Sequence, residues 1–308
     1  MKPYRAILIA GPTASGKSAL ALGLAERHGG TVINADSMQV YGELRVLTAR
    51  PTAEEEARVP HALYGHVSVR DAYSAGRYLA DAAEAIAAIE RQGRLPVIVG
   101  GTGLYFKTLL EGLSPIPATP EEVRAYWRGE AERIGARELH ALLTARDPEM
   151  GRRLNPSDTQ RIVRALEVIE ATGRSLAEWQ RIPGQGILKE EDTVRLVLLP
   201  DRAELYRRCE TRFDAMIQHG ALDEVAALKG LDLNPELPAM TAHGVPHLMA
   251  YIEGRIGLET AAERAKADTR HYAKRQFTWI RRNMQSWKAV DTQQTKRITD
   301  ELDIFVNS

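Results

Sequence analysis

Apolar positions along the chain fall into two patterns, short continuous runs and helically spaced stripes. Ala6-Ile7-Leu8-Ile9-Ala10 is a continuous run, as expected of a strand buried on both faces of a parallel sheet. A glycine-rich turn follows, and then Leu20, Ala21, Leu24 and Ala25 share one face of a predicted helix over residues 17–27. Residues 31–35 and 96–99 read as further buried strands, the second stopping at Gly100-Gly101. Ser74 is placed to cap a long helix reaching about Arg91, with Gly93 just past its end. Residues 194–199 predict a late return to the sheet. Strand, helix and strand in repeated succession predict an α/β fold, a core with a parallel sheet flanked by helices.

Between residues 115 and 191 the strand signals vanish. Thr119-Pro120-Glu121-Glu122 reads as a helix start with Thr119 as cap, and residues 121–133, 136–145 and 158–172 all carry helical patterns. The expectation is an all-helical domain, 115–191, inserted into a core formed by 1–114 and 192–308. Its joints lie at 114–117 and 182–186. Beyond the last strand the chain again predicts helices, with loops near Asn234-Pro235 and at residues 244–246.

Composition narrows the class without naming it. Lys plus Arg and Asp plus Glu both number 41 in 308 residues, so the total charge does not point to a polyanionic partner. Cys209 is the sole cysteine, which excludes an intramolecular disulfide and argues against a Cys-based zinc site. The apolar run 6–10 is too short for a signal-peptide core, and nothing approaches the length of a membrane span. A reduced, cytoplasmic protein with no membrane association is expected.

The strongest local signal is Gly11-Pro12-Thr13-Ala14-Ser15-Gly16-Lys17-Ser18, a full G-x-x-x-x-G-K-[ST] match between a buried strand and a helix. Such a P-loop turns successive backbone N–H groups inward as an anion cradle, and the helix N-terminus adds partial positive charge. Lys17 brings a full charge, and Ser18 a hydroxyl ligand for Mg²⁺. Taken alone, the loop specifies a diphosphate or triphosphate ligand and leaves open kinases, NTPases and transferases with diphosphate donors. Two polar segments, 34–41 and 99–106, leave predicted strands at their carboxyl ends, where open α/β sheets build sites. Asp36 and Thr102 are their candidate functional residues. Helix capping by Asp36, Ser37 or Thr102 is the plainer role for the same residue types.

Several motifs occur together in order: the P-loop, Asp36-Ser37-Met38-Gln39-Val40-Tyr41, Thr48-Ala49-Arg50-Pro51, Pro60-His61, Tyr73-Ser74-Ala75, and Gly100-Gly101-Thr102-Gly103-Leu104-Tyr105. Residues 158–167 and Tyr272-Ala273-Lys274-Arg275-Gln276-Phe277-Thr278-Trp279 complete the set. Over nearly its whole length the chain resembles the tRNA dimethylallyltransferase family. That resemblance implies dimethylallyl diphosphate as donor and N6 of an adenine beside the tRNA anticodon as acceptor. It also implies Asp36 as base, Thr102 near the departing oxygens, and Arg212 near the diphosphate. Neutralisation of the leaving group by Lys17, the loop amides and Mg²⁺ would be the largest catalytic contribution.

For the RNA, residues 264–288 hold eight Lys or Arg against one acidic residue, Asp268. Arg270, Lys274 and Arg281 are expected to form a basic strip beside an apolar stripe of Ala273, Phe277, Ile280 and Met284. The resemblance adds Gln160, Arg161, Ile162, Val163 and Arg164 as anticodon stem-loop contacts, with Arg161 and Arg164 on one helix face. Arg124 is a weaker candidate. An adenine drawn out of its stack would be read by Asp36, Ser37, Met38, Gln39 and Thr102, with Gln39 suited to adenine. Two departures from the family pattern stand out, Leu47 where glycine is common and Gly244-Val245-Pro246 where Gly-Tyr-Arg is common. A monomer with no obligatory protein partner is expected. A P-loop kinase, an isopentenyltransferase for free adenine nucleotide, and a non-catalytic RNA-binding switch are the competing expectations.

Overall fold

A computed structural model of the chain describes residues 4–290. The outer ends of the expected core, 1–3 and 291–308, lie outside the described residues. In chain order the elements are β1 (Ala6–Ala10), α1 (Lys17–Arg27), β2 (Gly30–Asn34), α2 (Ala53–Arg58), β3 (His61–Ala62), α3 (Ala75–Arg91), β4 (Leu95–Gly100) and α4 (Gly103–Glu111). Then come α5 (Glu121–Arg146), α6 (Pro148–Arg153), α7 (Thr159–Thr172), α8 (Leu176–Gln180), β5 (Thr193–Leu198), α9 (Arg202–Gln218), α10 (Ala221–Gly230), α11 (Val245–Ile252), α12 (Leu258–Asn283) and β6 (Lys288–Val290). No helix among the described residues is long and apolar enough to cross a membrane.

Among the described residues the sheet is six-stranded, ordered β3-β2-β4-β1-β5-β6, and every pairing is parallel. β1 lies between β4 and β5, so its apolar run is covered on both faces and no residue of it exceeds 1% exposure. The short edge strands β3 and β6 were not visible in the hydrophobic pattern. Each has too few residues to show a period and is defined by the neighbour it pairs with. Ser74 caps α3 by accepting the Arg77 N–H at 3.2 Å.

Gly100 shows why β2 and β4 approach so closely at their carboxyl ends. A Cβ there would overlap the carbonyl of Ala35, the same carbonyl that accepts the Thr102 N–H at 3.1 Å. Gly100→Ala is therefore expected to destabilise the protein by about 3 kcal/mol or more, since backbone on both sides must move. Chemical denaturation checks this, and a midpoint equal to wild type contradicts it.

The chain divides into two compact units, one formed by the segments up to Leu110 and from Ile187 onward, the other Glu111–Gly186. These limits differ slightly from the expected 114 and 192, because Ile187 and Leu188 already donate to the Leu109 carbonyl at 2.9 and 3.0 Å. Glu111–Gly186 is helical throughout its regular structure, around a core that includes Trp127, Leu139, Leu143, Ile162, Leu166 and Val168. Gly135 (φ 82°) interrupts α5 between the two stretches expected there. The expected Thr119 cap does not form. Pro120 occupies the cap position, and the Thr119 hydroxyl instead accepts from Arg164 at 2.9 Å. Residues 244–246, expected as a loop, open α11: Gly244 (φ 97°) precedes it and Pro246 sits in its first turn, where its missing N–H has no helical partner to lose.

Candidate active site

The phosphate loop joins β1 to α1. Ala14 (φ 60°) and Gly16 (φ 88°) both take left-handed backbone, which wraps the loop tightly. The Gly11 N–H donates to the Gly100 carbonyl at 3.3 Å, and Lys17 Nζ donates to the Pro12 carbonyl at 3.2 Å. The Ser15 hydroxyl is buried with no hydrogen-bond partner, a costly arrangement for a polar atom that an oxyanion would relieve. Gln39, His61, Tyr64, Arg208 and Arg212 line a cleft together with residues 14–19. Burial pulls the Lys17 ammonium down to about 8; the Asp36 carboxylate opposes that pull and Arg212 adds to it. Arg212, on α9, donates to the Thr13 hydroxyl. Its burial also lowers its pKa.

A second cavity adjoins this loop and contains Thr13, Asp36, Met38, Arg212, His243 and Tyr272 among its walls. Asp36 follows β2. Its N–H donates to Asn34 Oδ1 at 2.8 Å, and its own Oδ1 accepts the Met38 N–H at 3.0 Å. The local capping role and the open carboxylate thus coexist, since Oδ2 takes no part in that turn. Thr102 proves more committed than expected. Its hydroxyl accepts the Ser37 N–H at 2.9 Å, so in this structure it orients the Asp36 loop. Gln39 corrects another expectation. Its Nε2 donates to the carbonyls of Thr48 at 2.9 Å and Ala49 at 2.8 Å, so both amide hydrogens are engaged and paired reading of adenine is not available to it here.

Helix α12 gives roles to Tyr272 and Gln276, which belong to the motif 272–279 but carried no expected role in the site. Gln276 is buried, accepts the Thr13 N–H at 2.9 Å and donates to the Gly101 carbonyl at 3.0 Å. Tyr272 lies in the cavity wall, its hydroxyl pushed well up by burial and then by Asp36. His243 packs on the Tyr272 ring at 4.5 Å between centroids, and burial lowers its pKa. Two signals for Gln276 were present: it belongs to the motif 272–279, and it stands at helical spacing from Ala273 and Ile280, a polar residue within the buried stripe.

The RNA candidates divide. On α12, Lys274 and Arg281 are exposed, whereas Arg270 pairs with Glu210 and leaves the strip. Arg281 lies 6.0 Å from the Phe277 ring. Val245 and Leu248 are buried, while His243 faces the cavity. Leu47 is close enough that a Cβ on Gly244 would lie 3.0 Å from it, so the two departures from the family pattern are packed together. Arg124, Gln160, Arg161, Val163 and Arg164 belong to the helical unit. Gln160 and Arg161 are exposed there, and Arg161 is 3.5 Å from Asp158. Arg164 holds Thr119 and Glu167, and Arg124 lies 3.8 Å from Glu121. Ile162 is fully buried in that unit's core, so its side chain serves packing and not RNA contact. Among the described residues no cluster of three or more His, Cys, Asp or Glu side chains is arranged to hold a metal by itself.

Comparison with known proteins identifies the family. A family model described as IPP transferase matches residues 39–283, and one described as isopentenyl transferase matches 4–64. A tRNA dimethylallyltransferase of Nitrobacter hamburgensis is 58% identical over 284 residues, 92% of this chain and 89% of that protein. One from Parvibaculum lavamentivorans is 53% identical over 303 residues, covering 98% of this chain and 96% of that one. Among solved structures, the full-length tRNA isopentenylpyrophosphate transferase of Bacillus halodurans is 31% identical with a TM-score of 0.70, over 98% of this chain and 96% of that chain. A eukaryotic dimethylallyltransferase acting on tRNA is 28% identical with a TM-score of 0.81, over 98% and 79%. On these matches, which span most of its length, the chain belongs to the IPP transferase family.

Proposed function

We propose that this protein transfers a dimethylallyl group from dimethylallyl diphosphate to N6 of the adenosine 3′ of the anticodon in tRNA. The observation that carries the proposal is one carboxylate, Asp36, in a cavity that Thr13 and Arg212 of the phosphate-binding side also line. In the reaction the allylic C1–O bond breaks and its electron pair leaves with diphosphate. The N6 lone pair forms the new N–C1 bond, and the N6 proton passes to Asp36. Lys17, Arg212 and the loop amides stabilise the charge that develops on the leaving group.

The residues present fit Mg²⁺ bound through substrate. Ser18 offers a hydroxyl at the start of α1, and an ion held there would take its other ligands from phosphate and water. When bound, the ion supplies charge neutralisation at the diphosphate. Gly11, Pro12, Thr13, Ala14, Ser15, Gly16, Lys17 and Ser18 form the diphosphate site in this proposal. Asp36, Ser37, Met38 and Thr102 meet the flipped base, and Lys274, Arg281, Gln160, Arg161, Val163, Arg164 and Arg124 meet the RNA. A cytoplasmic monomer completes the picture.

The test is transfer of label from dimethylallyl diphosphate, with Mg²⁺, to an anticodon stem-loop bearing adenosine 3′ of the anticodon. Label in the RNA is expected. Label on free adenine nucleotide but not on the stem-loop would reassign the acceptor, and ATP consumption with no prenyl transfer would make the protein a kinase.

A further inference from the structure

We propose that Gln276 is a positioning residue that holds the diphosphate side and the acceptor side of the site at a working separation. The inference rests on the transfer reaction proposed above. Its basis is a single planar amide that bridges two loops distant in sequence. Oε1 accepts the N–H of Thr13, in the phosphate loop, at 2.9 Å. Nε2 donates at 3.0 Å to the carbonyl of Gly101, which precedes Thr102. An amide side chain offers an acceptor and a donor side by side without depending on protonation.

The surroundings leave little slack. Gln276 is 6% exposed, and on the same helix Ala273 and Ile280 are buried, so α12 holds the amide from a packed face. A Cβ at Gly101 would overlap Nε2, so the glycine makes room for the bridge. Tyr272, about one turn earlier, lies beside both Gln276 and Thr102, which partly offset the rise that burial gives its hydroxyl. Thr102 in turn holds the Ser37 N–H at 2.9 Å, next to Asp36. From the phosphate loop to the loop carrying the base, the connection therefore runs through Gln276, the Gly101–Thr102 peptide and the Ser37 N–H.

Geometry gives this bridge its consequence. Transfer requires the allylic carbon to lie between the departing oxygen and N6, and displacement by about 1 Å can cost on the order of 100-fold in rate. Donor binding depends instead on Lys17 and on the cradle amides other than that of Thr13, which Gln276 does not touch. The bridge thus acts on the rate of the bound complex more than on affinity for the donor.

The experiment compares wild type, Gln276→Met and Gln276→Glu in steady-state transfer to the stem-loop, with thermal unfolding measured in parallel. Gln276→Met is expected to lower kcat about 10- to 100-fold with the KM for dimethylallyl diphosphate little changed. Gln276→Glu separates positioning from mere packing. Its protonated carboxyl keeps one acceptor and one donor, whereas its carboxylate loses the donor facing Gly101. Its rate relative to wild type at the same pH should therefore rise as pH falls. The titratable and charged groups near the introduced carboxyl are Tyr272 and Arg275 on the same helix, Asp36, whose Oδ2 borders Gly101 as Gln276 does, and Lys17, Cys209 and Arg212 on the phosphate side. A Gln276→Met kcat equal to wild type overturns the inference. So does a raised donor KM with kcat intact, or a Gln276→Glu deficit that ignores pH. Absence of transfer by wild type overturns the proposed reaction itself, and the inference with it.

Discussion

Asp36→Asn is expected to fold normally and to transfer dimethylallyl groups about 10²- to 10⁴-fold more slowly than wild type, the range associated with loss of a general base. Asparagine keeps the shape of the side chain and an oxygen to accept the Met38 N–H, so the turn after β2 survives. What disappears is a group able to accept the N6 proton. The adenine amine is a poor nucleophile because its lone pair is delocalised into the ring, so attack without proton removal leaves an unfavourable cation. Single-turnover transfer at saturating donor and RNA isolates this step from binding. Rates equal to wild type would overturn Asp36 as the base while leaving the reaction assignment standing.

Lys17→Met is expected to lower transfer by about 10²- to 10³-fold, comparable with removing one group that stabilises developing negative charge. The wild-type pH profile carries a second, more specific expectation. Burial lowers the Lys17 pKa to about 8, with Asp36 partly offsetting that shift. Above that pH the free enzyme loses the charge that receives the diphosphate. Its kcat/KM for the donor should then fall about tenfold per pH unit, because this parameter reports groups of the free enzyme. Bound diphosphate favours the charged ammonium, so the matching limb in kcat should lie at higher pH. In Lys17→Met the alkaline limb should vanish from the residual activity. A limb that persists in the variant belongs to another group. Linkage has a definite sign here. The folded pKa of about 8 lies below the unfolded value, so over that window the unfolded chain holds more protons and unliganded stability rises with pH.

Much of this protein could be read from contiguous residues. The buried strands β1, β2, β4 and β5, the P-loop between β1 and α1, and the Ser74 cap each depend on a few neighbours in sequence. Asp158 caps α7 and Gly173 (φ 65°) ends it for the same local reason. Ile162 could also have been sorted correctly, since it shares a helix face with buried Ala165 and Leu166 and not with Arg161. The family motifs marked Asp36, Thr102 and Arg212 as candidates without showing what each side chain touches.

Sequence alone determined the class of the fold and the phosphate loop, because periodicity, turn chemistry and capping act over a few residues, while the candidates for prenyl transfer came from resemblance to a family. Tertiary structure decided which polar atoms remain free to act. Thr119 turned from cap to partner of Arg164, Gln39 committed its amide hydrogens to Thr48 and Ala49, and Thr102 closed on Ser37. Gln276 became the bridge between Thr13 and Gly101 only when α12 packed beside both loops. A buried donor or acceptor must find a partner, and across so many residues of chain that partner is chosen by the packing of whole elements and not by neighbours in sequence.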